Sequence, residues 1–281
     1  MHDPKVPETL DGWAVLHRMF RLRWAEWQAL GARDRGIHAA EAAQAMAGMQ
    51  RGGAGTTVPV TLLGHKGDLM LVHFRRDVEE LQAAQLTIAR LALSAFLAPT
   101  TSFVSIVELG MYEMTAQIHS RLAERGLRPG SGEFEQAFDA EMEDQRRRVF
   151  NRLFVEVPAR RHVCFYPMNK RRGEKRNWYA EKVEERARMM LEHGKIGRHY
   201  AGKVTQLISG AFGLDDWEWG VDLFADDPLV FKKLIYEMRF DEASAWYADF
   251  GPFHVGLQFS PSELPKYLEG EVPAFRPTRE T

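Results

Sequence analysis

A tyrosine followed by a run of cations stands in the middle of the chain. Tyr166 closes an apolar stretch, and Pro167-Met168-Asn169-Lys170-Arg171-Arg172 follows it, with Lys175 and Arg176 shortly after. A phenol is one of the few side chains that can give up an electron and a proton together. Clustered cations form charge-assisted hydrogen bonds to carboxylates. The stretch therefore indicates an oxidisable side chain beside a site for a small polyanion.

A lone histidine, His193, follows this run at the expected end of a helix. The helix carries one apolar stripe, formed by Val183, Ala187, Met190 and Leu191. Gly194 predicts that the helix stops directly after the histidine, which then lies at the carbonyl end. A neutral imidazole there can bind haem iron as a proximal ligand. His199 competes for this role, and a histidine on an apolar stripe is more often a packed core residue.

Gln206 is a polar residue among apolar neighbours. Strand alternation places it on one face with Val204 and Ile208. There its side-chain amide either forms hydrogen bonds to the edge of the sheet or lies above a metal as a neutral hydrogen-bond donor.

Tyr166 shares a face with Cys164 and Met168, and most such tyrosines are packing residues. The cations also suit RNA phosphates or plain solvent, but the run is short and no nucleic-acid motif surrounds it. If the fold brings them close, Arg152, Arg198 and Arg239 add to the anion site.

Composition limits the class of protein. The chain has 281 residues, 45% hydrophobic and 27% charged, with net charge −2, so it favours neither nucleic acid nor an anionic membrane. Its one cysteine excludes an intrachain disulfide, and neither a signal peptide nor a spanning segment is expected. We therefore expect a soluble cytoplasmic protein. Phosphate-loop, zinc-protease and serine-hydrolase motifs are missing, so a bound cofactor is the best source of chemistry.

Periodicity predicts an α+β protein built by duplication. Strands are expected at 13–22, 69–74, 103–109, 162–168, 200–208, 217–224 and 252–256. Helices are expected at 24–49 with a break at 31–36, from Asp77 to 96, and at 133–152, 180–193 and 227–236; 237–247 is a strand or a helix. The strand and helix from Gly67 resemble those from Trp217, which indicates two split β-α-β units. We place the units at 10–125 and 126–270, between loose tails at 1–9 and 271–281.

Several motifs together resemble the coproheme decarboxylases, the haem-biosynthetic branch of the chlorite dismutase family. The matching stretches are Leu10-Asp11-Gly12-Trp13, Gly64-His65-Lys66-Gly67-Asp68-Leu69-Met70, Phe165-Tyr166-Pro167-Met168-Asn169-Lys170, Asn177-Trp178-Tyr179 and Gly197-Arg198-His199-Tyr200-Ala201-Gly202-Lys203-Val204-Thr205-Gln206. The densest match runs from Asp215-Asp216-Trp217-Glu218-Trp219-Gly220-Val221 through Asp227-Pro228-Leu229 and Tyr236-Glu237-Met238-Arg239-Phe240-Asp241-Glu242 to Ser244. The resemblance covers roughly residues 10–260.

The resemblance implies a fold and a set of roles. It implies two ferredoxin-like units forming a dimeric α+β barrel of the chlorite dismutase type, five subunits in a ring, and a porphyrin in the C-terminal unit. His193 becomes the proximal iron ligand, Tyr166 the radical-forming tyrosine and Gln206 the distal glutamine. The residues that hold the porphyrin and its propionates become Arg152, Pro167, Met168, Asn169, Lys170, Arg198, Arg239 and Ser244. Chlorite-degrading relatives carry an arginine at the position of Gln206, so chlorite decomposition is not expected.

The implied activity is the conversion of iron coproporphyrin III (coproheme) to haem b by hydrogen peroxide. Two propionates become vinyl groups through a tyrosyl radical and a three-propionate intermediate, with coproheme acting as both substrate and redox cofactor. Tyr166 and Lys170 would be the catalytic residues, and a transient contact with the upstream ferrochelatase follows from the pathway. Glu237 and Glu242 are the two candidates for the residue that orients the imidazole of His193 by a hydrogen bond. The alternatives are a haem-binding or delivery protein without turnover and a broad-specificity haem peroxidase.

Overall fold

The computed structural model describes residues 8–50 and 54–276. Its nine strands in this part of the chain are β1 Thr9–Leu22, β2 Thr56–Leu62, β3 Leu69–Arg75, β4 Leu97–Gly110, β5 His162–Lys170, β6 Val204–Gly210, β7 Trp219–Ala225, β8 Ala248–Phe250 and β9 His254–Gln258. The α-helices of the same residues are α1 Trp24–Ala29, α2 Ala32–Gly48, α3 Val78–Ala89, α4 Tyr112–Glu124, α5 Gly132–Leu153, α6 Val183–His199, α7 Leu229–Met238, α8 Glu242–Tyr247 and α9 Leu264–Leu268.

The sheet closes into a barrel made of two similar halves. The first half has the strand order β4-β1-β3-β2 and the second β6-β7-β5-β9, which is the ferredoxin-like order in both. The halves join edge to edge at two seams, β4 with β6 and β2 with β9. Every pairing is antiparallel, and β8 extends the β9 side of β5. The predicted α+β fold of two ferredoxin-like units is therefore confirmed.

Alternation along the strands fills the barrel with apolar side chains. Trp13, Val15 and Met19 of β1 meet Val163 and Phe165 of β5 in this core, together with side chains from β2, β3, β4, β6 and β7. A polar pair lies among them, because His17 Nε2 is 3.0 Å from Asp222 Oδ1 and both residues are buried. The His17 ring also stacks on Phe165, with centroids 4.0 Å apart. The pair therefore links the two halves through the barrel interior.

The outer faces of the two halves are covered differently. The outer face of the first half packs against α2, and the segment at α9 completes this cover. Trp27 is fully buried there, and its indole N–H donates to the Leu268 carbonyl at 2.9 Å. The outer face of the second half packs against α6 and α7. Tyr166 and Met168 of the predicted site lie on this second face.

The structure corrects several predicted boundaries. Helix α6 continues through Gly194 to His199, residues 200–203 form a turn instead of the start of a strand, and 242–247 is a helix. The helix expected from Asp77 to residue 96 ends at Ala89, and a 3₁₀ turn follows it. Strand β2 and helix α4 were not predicted. No helix of the described residues is long and apolar enough to cross a membrane.

The structure describes only part of the predicted tails. Residues 1–7 and 277–281, which belong to the predicted tails, lie outside the described residues. Residues 273–276 were expected to be loose, yet the Pro273 carbonyl accepts a bond from Arg161 and the Ala274 carbonyl accepts one from the Ser260 amide. This stretch is therefore attached to the barrel. The predicted unit boundary at 125/126 falls in the turn between α4 and α5.

Candidate functional site

Strand β5 divides the predicted site residues between its two faces. Tyr166 lies in the cluster of buried side chains on the outer face of the second half, and Met168 packs against this cluster, whereas Phe165 points into the barrel. The cluster, called the outer cluster below, consists of Cys164, Tyr166, Val221, Leu223, Ala225, Phe231, Leu234 and Met238. Alternation places Lys170 on the outer face and puts Pro167 and Asn169 on the inner one. The Asn169 side-chain oxygen accepts a hydrogen bond from the Glu218 amide at 2.7 Å. Pro167 and Asn169 thus shape the strand end and do not share a face with the phenol.

Tyr166 lies in an aromatic and apolar environment. Its ring stacks on Phe253 with centroids 4.5 Å apart, and Phe250 follows at 5.8 Å. Burial raises the pKa of the phenol well above its ordinary value, against the smaller effect of the positive charge of Arg239. The Arg239 guanidinium lies 3.7 Å from the centroid of the Phe250 ring. Tyr166 is 3% exposed, so neighbouring side chains cover the phenol almost completely.

Lys170 is a buried cation at the end of the same strand. Its ammonium donates to the Ala243 carbonyl over a long 3.4 Å, and its own amide donates to Glu218 at 2.7 Å. Burial lowers the pKa of Lys170 to about 8, although the charges of Asp241 and Glu218 oppose this effect. A buried ammonium with one long hydrogen bond can still form charge-assisted bonds to an incoming carboxylate.

His193 lies inside α6, not at its end. The helix continues for six residues, so the argument from the carbonyl end of the helix is wrong for His193. Ile196 and Tyr200, on the same helical face, pack against the outer cluster that contains Tyr166. The His193 side chain is 25% exposed, whereas the competing His199 is 69% exposed and pairs with Glu237. The structure therefore places His193, and not His199, beside the cluster.

A carboxylate that the sequence analysis missed holds the imidazole of His193. The Oδ2 atom of Asp241 lies 3.1 Å from His193 Nδ1, and the Ser244 amide donates to Oδ1 of the same carboxylate at 3.0 Å. Burial raises the pKa of Asp241, but the hydrogen bonds and charge of His193 and the bonds from Ser244 outweigh it and hold the pKa below its ordinary value. Bonding at Nδ1 leaves Nε2 as the nitrogen that can bind a metal.

Neither of the two predicted partners of His193 occupies this position. Glu237 accepts a hydrogen bond from the Tyr200 hydroxyl at 2.7 Å, and Glu242 pairs with Arg188 at 2.8 Å. Asp241 is the N-cap of α8, and because aspartate is a preferred N-cap residue the sequence indicates that cap, but it does not indicate the contact with His193. Ser244 is buried beside both groups, with its hydroxyl 3.5 Å from His193 Nδ1.

The remaining predicted residues surround this group at greater distance. Gln206 is half-buried on β6, opposite Leu223 of the outer cluster, and Val204 of the same face packs against that cluster. Arg152, in the last turn of α5, and Arg198, near the end of α6, are exposed, and their guanidinium groups form no hydrogen bond or ion pair with the described residues. No contact of the structure links Arg152 directly to Tyr166 or Lys170.

The chemistry of these residues fits a haem-type group. His193 on α6 has its Nε2 atom available to bind a metal. The apolar outer cluster with Tyr166 lies on the strands that this helix covers, and the cation Lys170 lies at the end of β5. The buried indole N–H of Trp178, next to Lys170, also has no acceptor among the described residues. Such a donor is expected where a ligand supplies the missing acceptor.

Comparisons with known proteins agree with this arrangement. A family model described as chlorite dismutase matches residues 35–259. A relative from Natronomonas pharaonis, provisionally named a heme-binding protein, is 39% identical over 275 residues; the match covers 96% of this chain and 43% of the relative. The chain thus spans less than half the length of that relative.

Solved structures show the same fold. A structure described as a novel heme-binding protein from Thermus thermophilus has 39% identity and a TM-score of 0.80, covering 96% of this chain and all of that chain. A mutant chlorite dismutase from Candidatus Nitrospira defluvii has 18% identity and a TM-score of 0.69, covering 92% of this chain and 96% of that one. At 18% identity the second likeness concerns the fold alone. The family match and the 39% identical relatives show that this chain belongs to the chlorite dismutase family.

Proposed function

We propose that the protein binds coproheme on the outer face of its second half and decarboxylates two of its propionates with hydrogen peroxide. One observation carries the proposal. Tyr166 and the buried cation Lys170 share one face of β5, and that face packs against the helix that presents His193. The names of the 39% identical relatives support a haem-type ligand in this fold.

His193 and Asp241 have the role of holding the iron of the substrate. The imidazole binds through Nε2, while the Asp241 carboxylate at Nδ1 fixes the tautomer and the orientation of the ring. A carboxylate partner also makes the imidazole a stronger electron donor. The substrate iron, once bound, is where peroxide is reduced.

Tyr166 has the role of passing the oxidising equivalent to a propionate. The phenol loses an electron and a proton, and the resulting radical removes a hydrogen atom from the carbon next to the porphyrin ring. The bond to the carboxylate then breaks, a second electron leaves, and a vinyl group and carbon dioxide form. Per propionate, one peroxide and one proton are consumed and two water molecules are produced. Burial that raises the phenol pKa keeps the proton on Tyr166 until it is oxidised.

The cations have the role of selecting which carboxylate meets the phenol. Lys170 supplies a buried charge, and Arg152, Arg198 and Arg239 supply exposed ones. Misplacement of a reacting group by ~1 Å can cost about a hundredfold in rate, so such anchoring matters for turnover. Gln206 stands above the metal as a neutral donor, and an arginine there would belong to the chlorite-degrading members. A five-subunit ring and a transient contact with a ferrochelatase remain predictions of the family resemblance.

The test is mass spectrometry of the porphyrin after stepwise addition of peroxide to coproheme-loaded protein. The proposal expects two successive losses, each of carbon dioxide and two hydrogens (one formic acid equivalent) per propionate, ending at haem b. The second candidate is a haem-binding or delivery protein without turnover; the names of the relatives support haem binding, and in such a protein the porphyrin would bleach or stay unchanged. A broad peroxidase would oxidise added phenols while the bound porphyrin keeps all four propionates.

A further inference from the structure

The outer face of the first half contains a polar opening between β1 and α3. On both sides of it the helix packs through apolar side chains, because Leu81 and Ile88 belong to buried clusters that include residues of β1. Gln85 lies between them on the same face of α3. Gln85 and Arg18 of β1 line one cavity of about 270 Å³. A charged and an amide side chain thus interrupt an otherwise apolar contact between helix and sheet.

Arg18 is a half-buried cation that the proposed function does not use. Its guanidinium lies over the Phe20 ring, 4.8 Å from the ring centroid. The Nη1 atom is buried and finds no hydrogen-bond partner among the described residues. Burial lowers the pKa of this guanidinium, and no carboxylate of the described residues opposes that effect. Because buried charged donors are normally paired, an acceptor from outside the chain is expected here.

Strand β4 supplies the other polar residues of the cavity. Thr100, Thr101 and Ser102 line it, and all three are exposed, so the cavity opens to solvent. The pairing register of β1 and β4 shifts at this point, which makes Thr100 the extra residue of a β-bulge. Hydroxyl groups and the Gln85 amide can all donate hydrogen bonds. No carboxylate of the described residues lines the cavity, so its polar groups suit an anion.

The duplicated architecture shows that this polarity is particular to the first half. Arg18 pairs with the third residue of β3, as Tyr166 pairs with the third residue of β7. Gln85 and Ile235 likewise stand equally far along the chain from the first residues of these two strands. Tyr166 belongs to the outer cluster and Ile235 packs against it. The same fold is therefore built with apolar and aromatic side chains here, and packing does not require the cation.

We propose that this cavity binds a tetrahedral oxyanion, either free phosphate or the phosphate group of a small monoester. The guanidinium of Arg18 supplies the positive charge and parallel N–H groups. Gln85 and the hydroxyls of Thr100, Thr101 and Ser102 supply donors from other directions. A tetrahedral ion accepts hydrogen bonds from several directions at once, whereas a carboxylate accepts them near one plane. The site lies on the first half and does not rest on the proposed function.

The test measures the dissociation constants of inorganic phosphate, methyl phosphate and acetate by isothermal titration calorimetry of the full chain at constant ionic strength. Arg18→Gln removes the charge and the paired N–H groups. Gln85→Glu keeps Arg18 but places a carboxylate in the same cavity, so the chain itself supplies the anion. Arg128→Gln makes the same change of charge as Arg18→Gln at an exposed residue between α4 and α5, outside the cavity, and is the matched control.

The wild type should bind phosphate at one saturable site and acetate at least about tenfold more weakly, because acetate uses fewer of the donors. Arg18→Gln and Gln85→Glu should each raise the dissociation constant for phosphate about tenfold or more, since the charged donor is removed or already paired. Arg128→Gln should bind phosphate like the wild type. Methyl phosphate bound as tightly as phosphate would identify a monoester as the ligand class, and weaker binding would identify the free ion.

Three outcomes would overturn the proposal. They are a wild type that shows no saturable binding of either phosphate, equal affinities for phosphate and acetate, and wild-type phosphate affinity in a cavity variant that folds. Gln85→Glu decides the question if Arg18→Gln does not fold, because it retains the native guanidinium.

Discussion

The imidazole of His193 and the carboxylate of Asp241 are joined across two helices, Nδ1 to Oδ2, at 3.1 Å. The Ser244 amide bonds the other oxygen of the same carboxylate, so the acceptor cannot rotate freely. The ring of His193 therefore has one defined orientation, with Nε2 directed away from α8. This relationship fixes the orientation of the proposed iron ligand more firmly than helix packing alone.

Asp241→Asn should weaken the iron–histidine bond without removing it. Loss of such a partner usually costs about 10- to 100-fold in metal affinity or activity. We expect a ferric coproheme spectrum that still shows histidine ligation, a more positive iron reduction potential, and slower turnover.

His193→Ala should lose the histidine-ligated spectrum altogether. An unchanged spectrum in His193→Ala would point to another ligand, with His199→Ala as the matched control.

Tyr166→Phe should separate binding from chemistry. The phenylalanine keeps the stacking on Phe253 but has no hydroxyl to lose a proton, so coproheme should bind with nearly wild-type affinity. Peroxide should then yield no haem b, and mass spectrometry of the porphyrin checks this. Full turnover by the variant would remove Tyr166 from the mechanism. Tyr179→Phe, an exposed tyrosine outside the cluster, is the control.

Lys170 should give the reaction a pH dependence. Burial lowers its pKa to about 8 in the free protein, against the opposing charges of Asp241 and Glu218. The ammonium therefore loses its proton as the pH rises through about 8, and kcat/KM for coproheme should fall there. Lys170→Arg should remove the decline, because a guanidinium stays charged. Lys170→Met should be slower at every pH and show no decline near pH 8.

The lowered pKa of Lys170 should have the opposite effect on folding stability, which should rise with pH. The folded state disfavours the charged lysine, so between about pH 8 and the ordinary value of 10.5 the unfolded chain binds more protons. Folding should therefore gain stability as the pH rises across that window. Lys170→Met should lack this gain in urea unfolding, measured at pH 8 and pH 10. An equal gain in both proteins would show that Lys170 is not the source.

His254 should make the barrel sensitive to acid. Burial, followed by the charges of Lys66 and His17, lowers its pKa from 6.5 to about 4. Between those values the unfolded chain binds the extra proton, so stability is lost as the pH falls, by at most about 1.4 kcal/mol per pH unit. His254→Gln should flatten the pH dependence of the urea midpoint over this range. The exposed His65→Gln should leave it as in the wild type, and equal slopes for all three would contradict the assignment.

Much of the fold follows from local pattern. The strand and helix from Gly67 and those from Trp217 predicted a duplicated unit, and the structure has β3 with α3 and β7 with α7 in these places. Alternation also predicted that Gln206 and Val204 share a face. Strand β2 was missed; its run contains Pro59, a residue that weakens a strand assignment, and one of its two neighbours, β9, is distant in sequence.

Tertiary packing explains the main errors at the site. A glycine inside a helix costs roughly 1 kcal/mol of helix stability relative to alanine, and for this reason Gly194 was predicted to end the helix. Ile196 and Tyr200 pack beyond it on the outer cluster, and this burial extends α6 to His199. The partner of His193 was misassigned for a similar reason. The choice among Asp241, Glu237 and Glu242 depends on how α8 lies against α6, which no local pattern encodes.

Closure of the sheet has a consequence for any shortened form of the protein. At each seam, residues of two outermost strands, one from each half, form backbone hydrogen bonds. A fragment holding only one half would leave the strand edges at both seams without these partners, and unpaired strand edges promote aggregation. Each half thus shields the strand edges of the other.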